Sequence, residues 1–556
     1  MTDHAQHSRA TGVEVEPGMT DSTAPEGFPD TAHGLDLSKP HLRLTQVILA
    51  DATDQHNELV QEQTWLLHPS QRNLQLRGNL FVVEDPTTGT GSILVKKAPL
   101  PDSRPLPSPW DLRVTPRKGS GFRCELAATP EETKNSWEML KFSSGEIGCT
   151  RVLHTWQRDQ RPKTPAHTLP RLLVNTWGDR SRDSRIEQEF IAAEIAAVRK
   201  LGGEILQLDD GWQRGITKNS AFAAKHGGVW EGFWKSDPRF WEPHPERLPN
   251  GLEPILRQAR DAGIGIGLWF APDSAMEFAQ WERDVACVVS LHQRYGVDHI
   301  KIDGVKTESP RALENFLGFV RGVLRETDGR VAMDLDITAG IRPGYFGAME
   351  TGPLFVENRY TDWHNYWPHH TLRNLWKLSR WIDPVRLRME FLNATRNAEL
   401  YPNDPLAPHR YPPATLFATV FCANPLGWFE ASNLPESVVE AIAPWVQTWK
   451  DHRTALFGGT IHPIGNPPDG LGWCGFLGLD ANSRPHAILL FRGLLAPAEC
   501  TLPMPVDCQR SLQADVHGSS GSLRITGQQI QASIPEPLGF LFATLSEAQP
   551  QSKHRE

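Results

Sequence analysis

Near the middle of the chain an apolar run, VDHIKID (297–303), ends in a lysine and an aspartate two residues apart and is followed at once by Gly304. Positions i and i+2 of a strand share a face, so Lys301 and Asp303 point the same way. Burying a carboxylate is costly unless something pairs with it. A plain account is a salt bridge facing a solvated loop. A sharper one makes Asp303 a nucleophile with Lys301 beside it, and the rest of the chain favours it by repeating the pattern. Seven further apolar runs end in polar residues: RLLVNTWGD (171–179), EILQLDDGW (204–212), GIGIGLWFAPD (263–273), RVAMDLD (330–336), PLFVENR (353–359), RLRMEFLN (386–393) and TLFATVFCANPLGW (415–428). Their ends carry Trp177 and Asp179; Asp209, Asp210 and Trp212; Trp269 and Asp273; Asp334 and Asp336; Glu357 to 362; and Glu390 with Asn393. Carboxylates accept paired hydrogen bonds from neighbouring hydroxyls, and an indole covers the apolar face of a sugar ring. The set suits a neutral polyhydroxylated ligand and contains the paired carboxylates that glycoside cleavage needs. Asp183, just outside it, reads as a loop charge or helix cap.

Residues so far apart converge only if the runs are neighbours in space. The segments between them mostly read as helices. The clearest, 184–201, has a Ser184/Glu187 capping-box spacing, an apolar stripe of Ile186, Phe190, Ile195 and Val198, and a stop at Gly202. Others are 248–262, 281–295, 311–326, 372–382 and 436–449. Eight such units over roughly 280 residues imply an α/β fold, a (β/α)8 TIM barrel, whose site lies at the C-terminal ends of its strands. A doubly wound sheet fits less well, because no run is followed by a GxGxxG or Walker loop.

The barrel is expected over 168–452. Before it, 41–165 holds short β-like runs (LRLTQVIL, NLQLRGNLFVVED, GSILVKK) separated by Pro and Gly clusters, which imply an N-terminal β-sandwich. HAILLFRG, SLRITG and GFLFATL imply a C-terminal β-sandwich over 455–546. Residues 1–40 and 547–556 read as loose polar tails.

Composition excludes several classes. A chain of 556 residues exceeds one compact core. A formal net charge of -9 with no dense basic run argues against nucleic acid as a partner. Seven scattered cysteines without a CxxC pair fit neither a zinc finger nor a disulfide framework. No leader-like apolar region or membrane-length run occurs, so no membrane partner and a cytoplasmic location are expected. Nineteen Trp against six Tyr fit sugar stacking, although large cores also collect Trp.

In order, LQLDDGW, the PNGL at 249–252, GIGIGLW and VDHIKID resemble glycoside hydrolase family 36, in clan D with the α-galactosidases, of which this chain would be a divergent member. NTWGD (175–179) is similar to that family's first barrel strand, and TAGIR (338–342) to its Gly-Gly-x-Arg loop. The resemblance covers about 170–430. It implies that Asp303 is the nucleophile, that Lys301 and Arg342 contact substrate hydroxyls, that Asp209 and Asp210 hold sugar hydroxyls, and that Trp269 walls the pocket. Trp177, Trp212, Asp336, Arg359 and Trp363 join the expected substrate contacts. The family's SDNTD after strand six is ENRYTD here (357–362). The family's acid/base is usually the first Asp, whose slot falls near Arg359; Asp362 matches the second and is the expected acid/base here, with Glu357 the rival. GLWFAPD in place of GLWxEPE, and Asp336 where the family has Cys, leave the sugar open.

The implied activity is a retaining, exo-acting α-glycosidase, most nearly an α-galactosidase, working on an oligosaccharide or glycoside without metal or cofactor, and homo-oligomeric assembly is compatible with it. An α-galactosyl transglycosylase of the raffinose-synthase sort would share the mechanism. Two readings of other classes are a non-catalytic sugar-binding protein and a metal-dependent hydrolase. The second draws on His364, His369 and His370 in WHNYWPHH, whose spacing matches no compact ligand pair.

Overall fold

The computed structural model describes residues 33–50, 58–97, 109–119, 121–127, 137–336, 344–506, 512–518 and 520–547. At its centre eight parallel strands close into a barrel: Leu173–Asn175, Ile205–Leu208, Gly265–Phe270, His299–Ile302, Ala332–Asp336, Leu354–Phe355, Leu387–Phe391 and Asn424–Trp428. Closure is direct, since Leu173 pairs with Leu426 and Asn175 with Trp428. Each of the eight apolar runs supplies one strand. In the eighth only the second half does so, and its first half lies largely in the helix Pro413–Ala418.

Helices Gln188–Leu201, Glu253–Ala262, Trp281–Tyr295, Pro310–Glu326, Pro368–Leu378 and Glu436–Gly458 pack outside the ring. Their apolar faces, such as Ile191, Ile195 and Val198, join one continuous core with the barrel. The expected capping box does not form. The first of these helices starts at Gln188 after an extended Glu187, while the Ser184 hydroxyl donates to the Ser181 carbonyl within a preceding turn. Gly202 does end it, in the left-handed conformation glycine adopts cheaply.

On the N-terminal side, a five-stranded antiparallel sheet runs Val60–Leu67, Leu42–Leu49, Leu80–Asp85, Thr90–Lys96 and Trp137–Phe142 in spatial order. A four-stranded sheet shares a core with it through Leu44, Phe81, Leu94, Val114 and Phe122. Its edge strand, His33–Leu37, lies inside the stretch expected to be a tail and pairs with Gly121–Leu126. The rest of that tail, residues 1–32, lies outside the described residues, as do 548–556. A helix not expected from the sequence, Gly145–Asp159, ties this region to the barrel: Gln157 bonds the Trp381 carbonyl at 2.9 Å and Arg158 pairs with Asp383 at 2.7 Å. After residue 459, a five-stranded and a three-stranded antiparallel sheet pack around Leu477, Leu490, Ile530 and Leu541. Among the described residues no helix is long and apolar enough to cross a membrane.

Candidate active site

Where the strands end, one ammonium faces three carboxylates. Lys301 Nζ lies 3.1 Å from Asp209 Oδ2 and 3.8 Å from both Asp303 Oδ2 and Asp336 Oδ2, with only 7% of its side chain exposed. Burial pushes its affinity for a proton down, but the surrounding Asp209, Asp303 and Asp336 outweigh that and raise it, so the amine stays charged. The Asp209 carboxylate also accepts from Asn175 Nδ2 at 2.7 Å and from the Asp210 backbone N–H at 2.9 Å. Asp303 is held by two donors, Trp269 Nε1 at 3.1 Å and the backbone N–H of Gly304 at 2.7 Å. Gly304 turns here with φ +67, which brings its N–H back over the carboxylate.

Asp210 is fully enclosed. Burial pushes its carboxyl up to about 7, against the opposing donors Thr217 and Gln213, and the neighbouring Asp209 and Asp183 charges push the same way. Near neutrality it therefore carries a proton for part of the time. The next residue, Gly211, has φ +118, and a Cβ there would stand 2.2 Å from the Asp183 Cβ. This glycine lets the loop holding Asp183 close on the DDGW turn.

These residues border a cavity of about 320 Å³. Asp209, Asp210, Lys301, Asp303 and Asp336 line it with Trp177, Trp230 and Trp269, and Arg180, Arg182, Tyr360 and Trp363 also border it. Trp363 is half exposed.

Other expected residues lie elsewhere. Trp212 is buried outside the cavity wall, its indole donating to the Trp269 carbonyl at 2.8 Å, because the turn at Gly211 sends it between the barrel and its outer layer. Arg359 is also turned inward: past Asn358, whose φ is +112, its guanidinium bonds Glu357 at 3.3 Å and the Asn365 carbonyl at 2.9 Å. Glu357 is sealed by Arg359, by Thr371 Oγ1 at 2.8 Å and by Asn374 Nδ2 at 2.7 Å. It is not part of the cavity wall. Asp362 is not part of the cavity wall either; it is 38% exposed, stands in the chain between the cavity residues Tyr360 and Trp363, and lies 3.4 Å from the Nε of Arg180. Arg342 and the TAGIR stretch lie outside the described residues. None of the three histidines of WHNYWPHH borders the cavity, and His369 bonds the Tyr411 hydroxyl at 2.8 Å.

The remaining strand-end carboxylates serve the scaffold. Asp334 pairs with Arg388 across the barrel interior at 2.8 Å. Glu390 accepts the backbone N–H of Arg359 at 2.6 Å and thereby fixes the loop after strand six; burial and the nearby Glu357 hold its carboxyl well above the usual range. Asp273 accepts the Gly232 N–H at 2.7 Å, anchoring the loop that carries Trp230.

Sequence reasoning missed Arg180, Arg182, Asn219, Trp230, Asn358 and Tyr360 as cavity residues. The two arginines stood directly behind a recognised strand end, in WGDRSRD, and their charge was the available signal. Trp230 comes from a long loop with no periodicity.

No family model matches the chain. Parts of it are similar to known α-galactosidases. One from Escherichia coli is 28% identical over 131 residues, which is 24% of this chain and 16% of that protein. A probable α-galactosidase G from Aspergillus terreus is 32% identical over 187 residues, 30% of this chain and 23% of that protein. The matched stretches thus span less than a quarter of these relatives' length. Among solved structures, the family 36 α-galactosidase AgaA from Geobacillus stearothermophilus superposes with a TM-score of 0.64 at 12% identity, over 93% of this chain and 76% of that one. The α-galactosidase from Lactobacillus brevis gives 0.66 at 12% identity, over 94% and 76%. The chain resembles family 36 at long range. At such identity the structural likeness is one of fold, a TIM barrel carried between β domains.

Proposed function

We propose that this protein is a retaining, exo-acting α-glycosidase of the α-galactosidase kind. The observation that carries the reading is the single ammonium, Lys301, set among Asp209, Asp303 and Asp336 beside a cavity of sugar size. Asp209, Asp210 and Lys301 would take the hydroxyls of the terminal sugar, and Trp177 and Trp269 its apolar faces. Asp303, oriented by Trp269 and Gly304, attacks the anomeric carbon as the bond to the leaving oxygen breaks. Asp362 gives that oxygen its proton, then takes one from the water that cleaves the glycosyl-enzyme. Asp362 is preferred to Glu357 because both Glu357 oxygens are committed to buried donors, whereas Asp362 adjoins the cavity residues Tyr360, Trp363 and Arg180.

Variants of the G. stearothermophilus enzyme have been solved with raffinose and with stachyose, which makes α-galactosyl oligosaccharides the first substrates to test. A panel of 4-nitrophenyl α-glycosides read by proton NMR decides the matter. The expected result is release of α-galactose before mutarotation. First release of the β-anomer, or no turnover across the panel, counts against the proposal.

A further inference from the structure

We infer that the cavity mouth recognises an anionic group on the leaving-group side of the substrate, a carboxylate, phosphate or sulfate, through Arg180 and Arg182. The inference deepens the glycosidase reading and rests on it for which end of the substrate faces outward.

Both arginines follow the first barrel strand and border the cavity. Their segment is pinned on either side by a buried carboxylate. Asp179 accepts from Asn433 Nδ2 at 2.8 Å and lies 3.5 Å from Arg396 Nε. Asp183 accepts from the Ala221 N–H at 2.7 Å, from Ser220 at 2.5 Å and from Arg247 at 3.0 Å. Between these anchors Arg180 and Arg182 both adopt left-handed backbone, with φ +64 and +52. That conformation is costly for a non-glycine residue and persists only where the surroundings impose it.

The Arg180 guanidinium lies over the rings of Trp363 and Tyr360, at 4.4 and 4.9 Å from their centroids. Its Nε is buried and makes no hydrogen bond. A guanidinium stacked in this way is already oriented, so little side-chain freedom is left to lose on binding. Asp362, 3.4 Å from the Arg180 Nε, can offset at most one of the two positive charges. Arg182 is exposed and has no hydrogen-bond or ion-pair partner among the described residues, so the mouth keeps at least one net positive charge.

Among the described residues the floor has the opposite balance, with Asp209, Asp303 and Asp336 around Lys301. An acidic terminal sugar would be repelled there, whereas an acidic leaving group would meet the arginines. The charge separation therefore assigns the anion to the outer half of the ligand.

The test compares 3-carboxy-4-nitrophenyl α-galactoside with its carboxamide analogue, using the full chain. Wild type should prefer the carboxylate by about tenfold in kcat/KM at low salt, with the preference shrinking as salt screens it. The ratio should fall to about one in the Arg180→Gln/Arg182→Gln double variant. A ratio of one or less in wild type, or one unchanged in the double variant, overturns the inference. Calorimetric titration of both compounds into Asp303→Asn reads the same ratio without turnover. Lack of hydrolysis in wild type would then sink the galactosidase reading alone. Equal affinities, or no binding of the carboxylate, would sink this one.

Discussion

The barrel's two halves use their strand ends differently. Those of strands two to four present Asp209, Asp210, Trp269, Lys301 and Asp303 to one cavity. Beyond strand five, which adds Asp336 to the same cavity, the acidic side chains are mostly consumed within the protein: Glu357 by Arg359, Thr371 and Asn374, and Glu390 by the backbone of the strand-six loop. A carboxylate at the mouth of a barrel is thus no sufficient mark of chemistry. What separates the groups is whether the carboxylate borders the cavity, as Asp209, Asp210 and Asp303 do and Glu357 and Glu390 do not.

The contrast can be broken most directly at Asp303. Asp303→Ala should lower kcat by about four orders of magnitude or more, as removal of a nucleophile does elsewhere. Azide should restore part of the activity and yield the β-galactosyl azide. Turnover within tenfold of wild type would show that the first half does not hold the reacting group.

Asp362→Ala tests the second half. It should slow substrates with poor leaving groups by roughly 10²- to 10⁴-fold while sparing activated aryl glycosides. Glu357→Gln should instead cost about 1–3 kcal/mol of stability, because it disturbs a filled buried network. Its kinetic effect should not depend on the leaving group. Denaturant unfolding beside a leaving-group series separates the two, and exchanged behaviour would reverse the assignment.

A smaller effect concerns Asp210. Its carboxyl is held near 7, so raising the pH through that value removes a proton that can serve a sugar hydroxyl. KM should rise severalfold between pH 6 and 8 in wild type and lose that dependence in Asp210→Asn.

The smallest concerns stability. Burial holds Asp179 at about 6 and both Asp210 and Asp284 at about 7, above their unfolded values near 3.8. The folded state then binds more protons than the unfolded one between about pH 4 and 7, and stability falls as pH rises through that window. The melting temperature should decline from pH 5 to pH 8, with a shallower slope in Asp284→Asn. Equal slopes would remove Asp284 from the account.

Much of this was legible in the chain itself. All eight strands announced themselves, because a parallel strand buried on both faces is a short apolar run bounded by polar residues. The floor was legible for the same reason, as its members are strand-terminal. Trp212 and Arg359 misled because they were grouped with the strand ends they follow, whereas positive φ at Gly211 and Asn358 turns the backbone just before them. Trp230 and Tyr360 were illegible: they reach the cavity from loops, whose paths depend on distant ties such as Asp273 to Gly232 and Glu390 to Arg359. Ser184 had the spacing of a cap but sits in a turn of its own.

The segment 180–182 hangs between two buried anchors, Asp179 and Asp183, and shares no direct bond with Lys301 or Asp303. Arg182, which has no partner among the described residues, can therefore be rewritten by substitution while the two posts and the machinery beneath them stay as they are, whereas Arg180 is tied to Asp362. A lineage built on this barrel could change what it accepts as cargo on the outgoing side without relearning how to hold the sugar or break the bond.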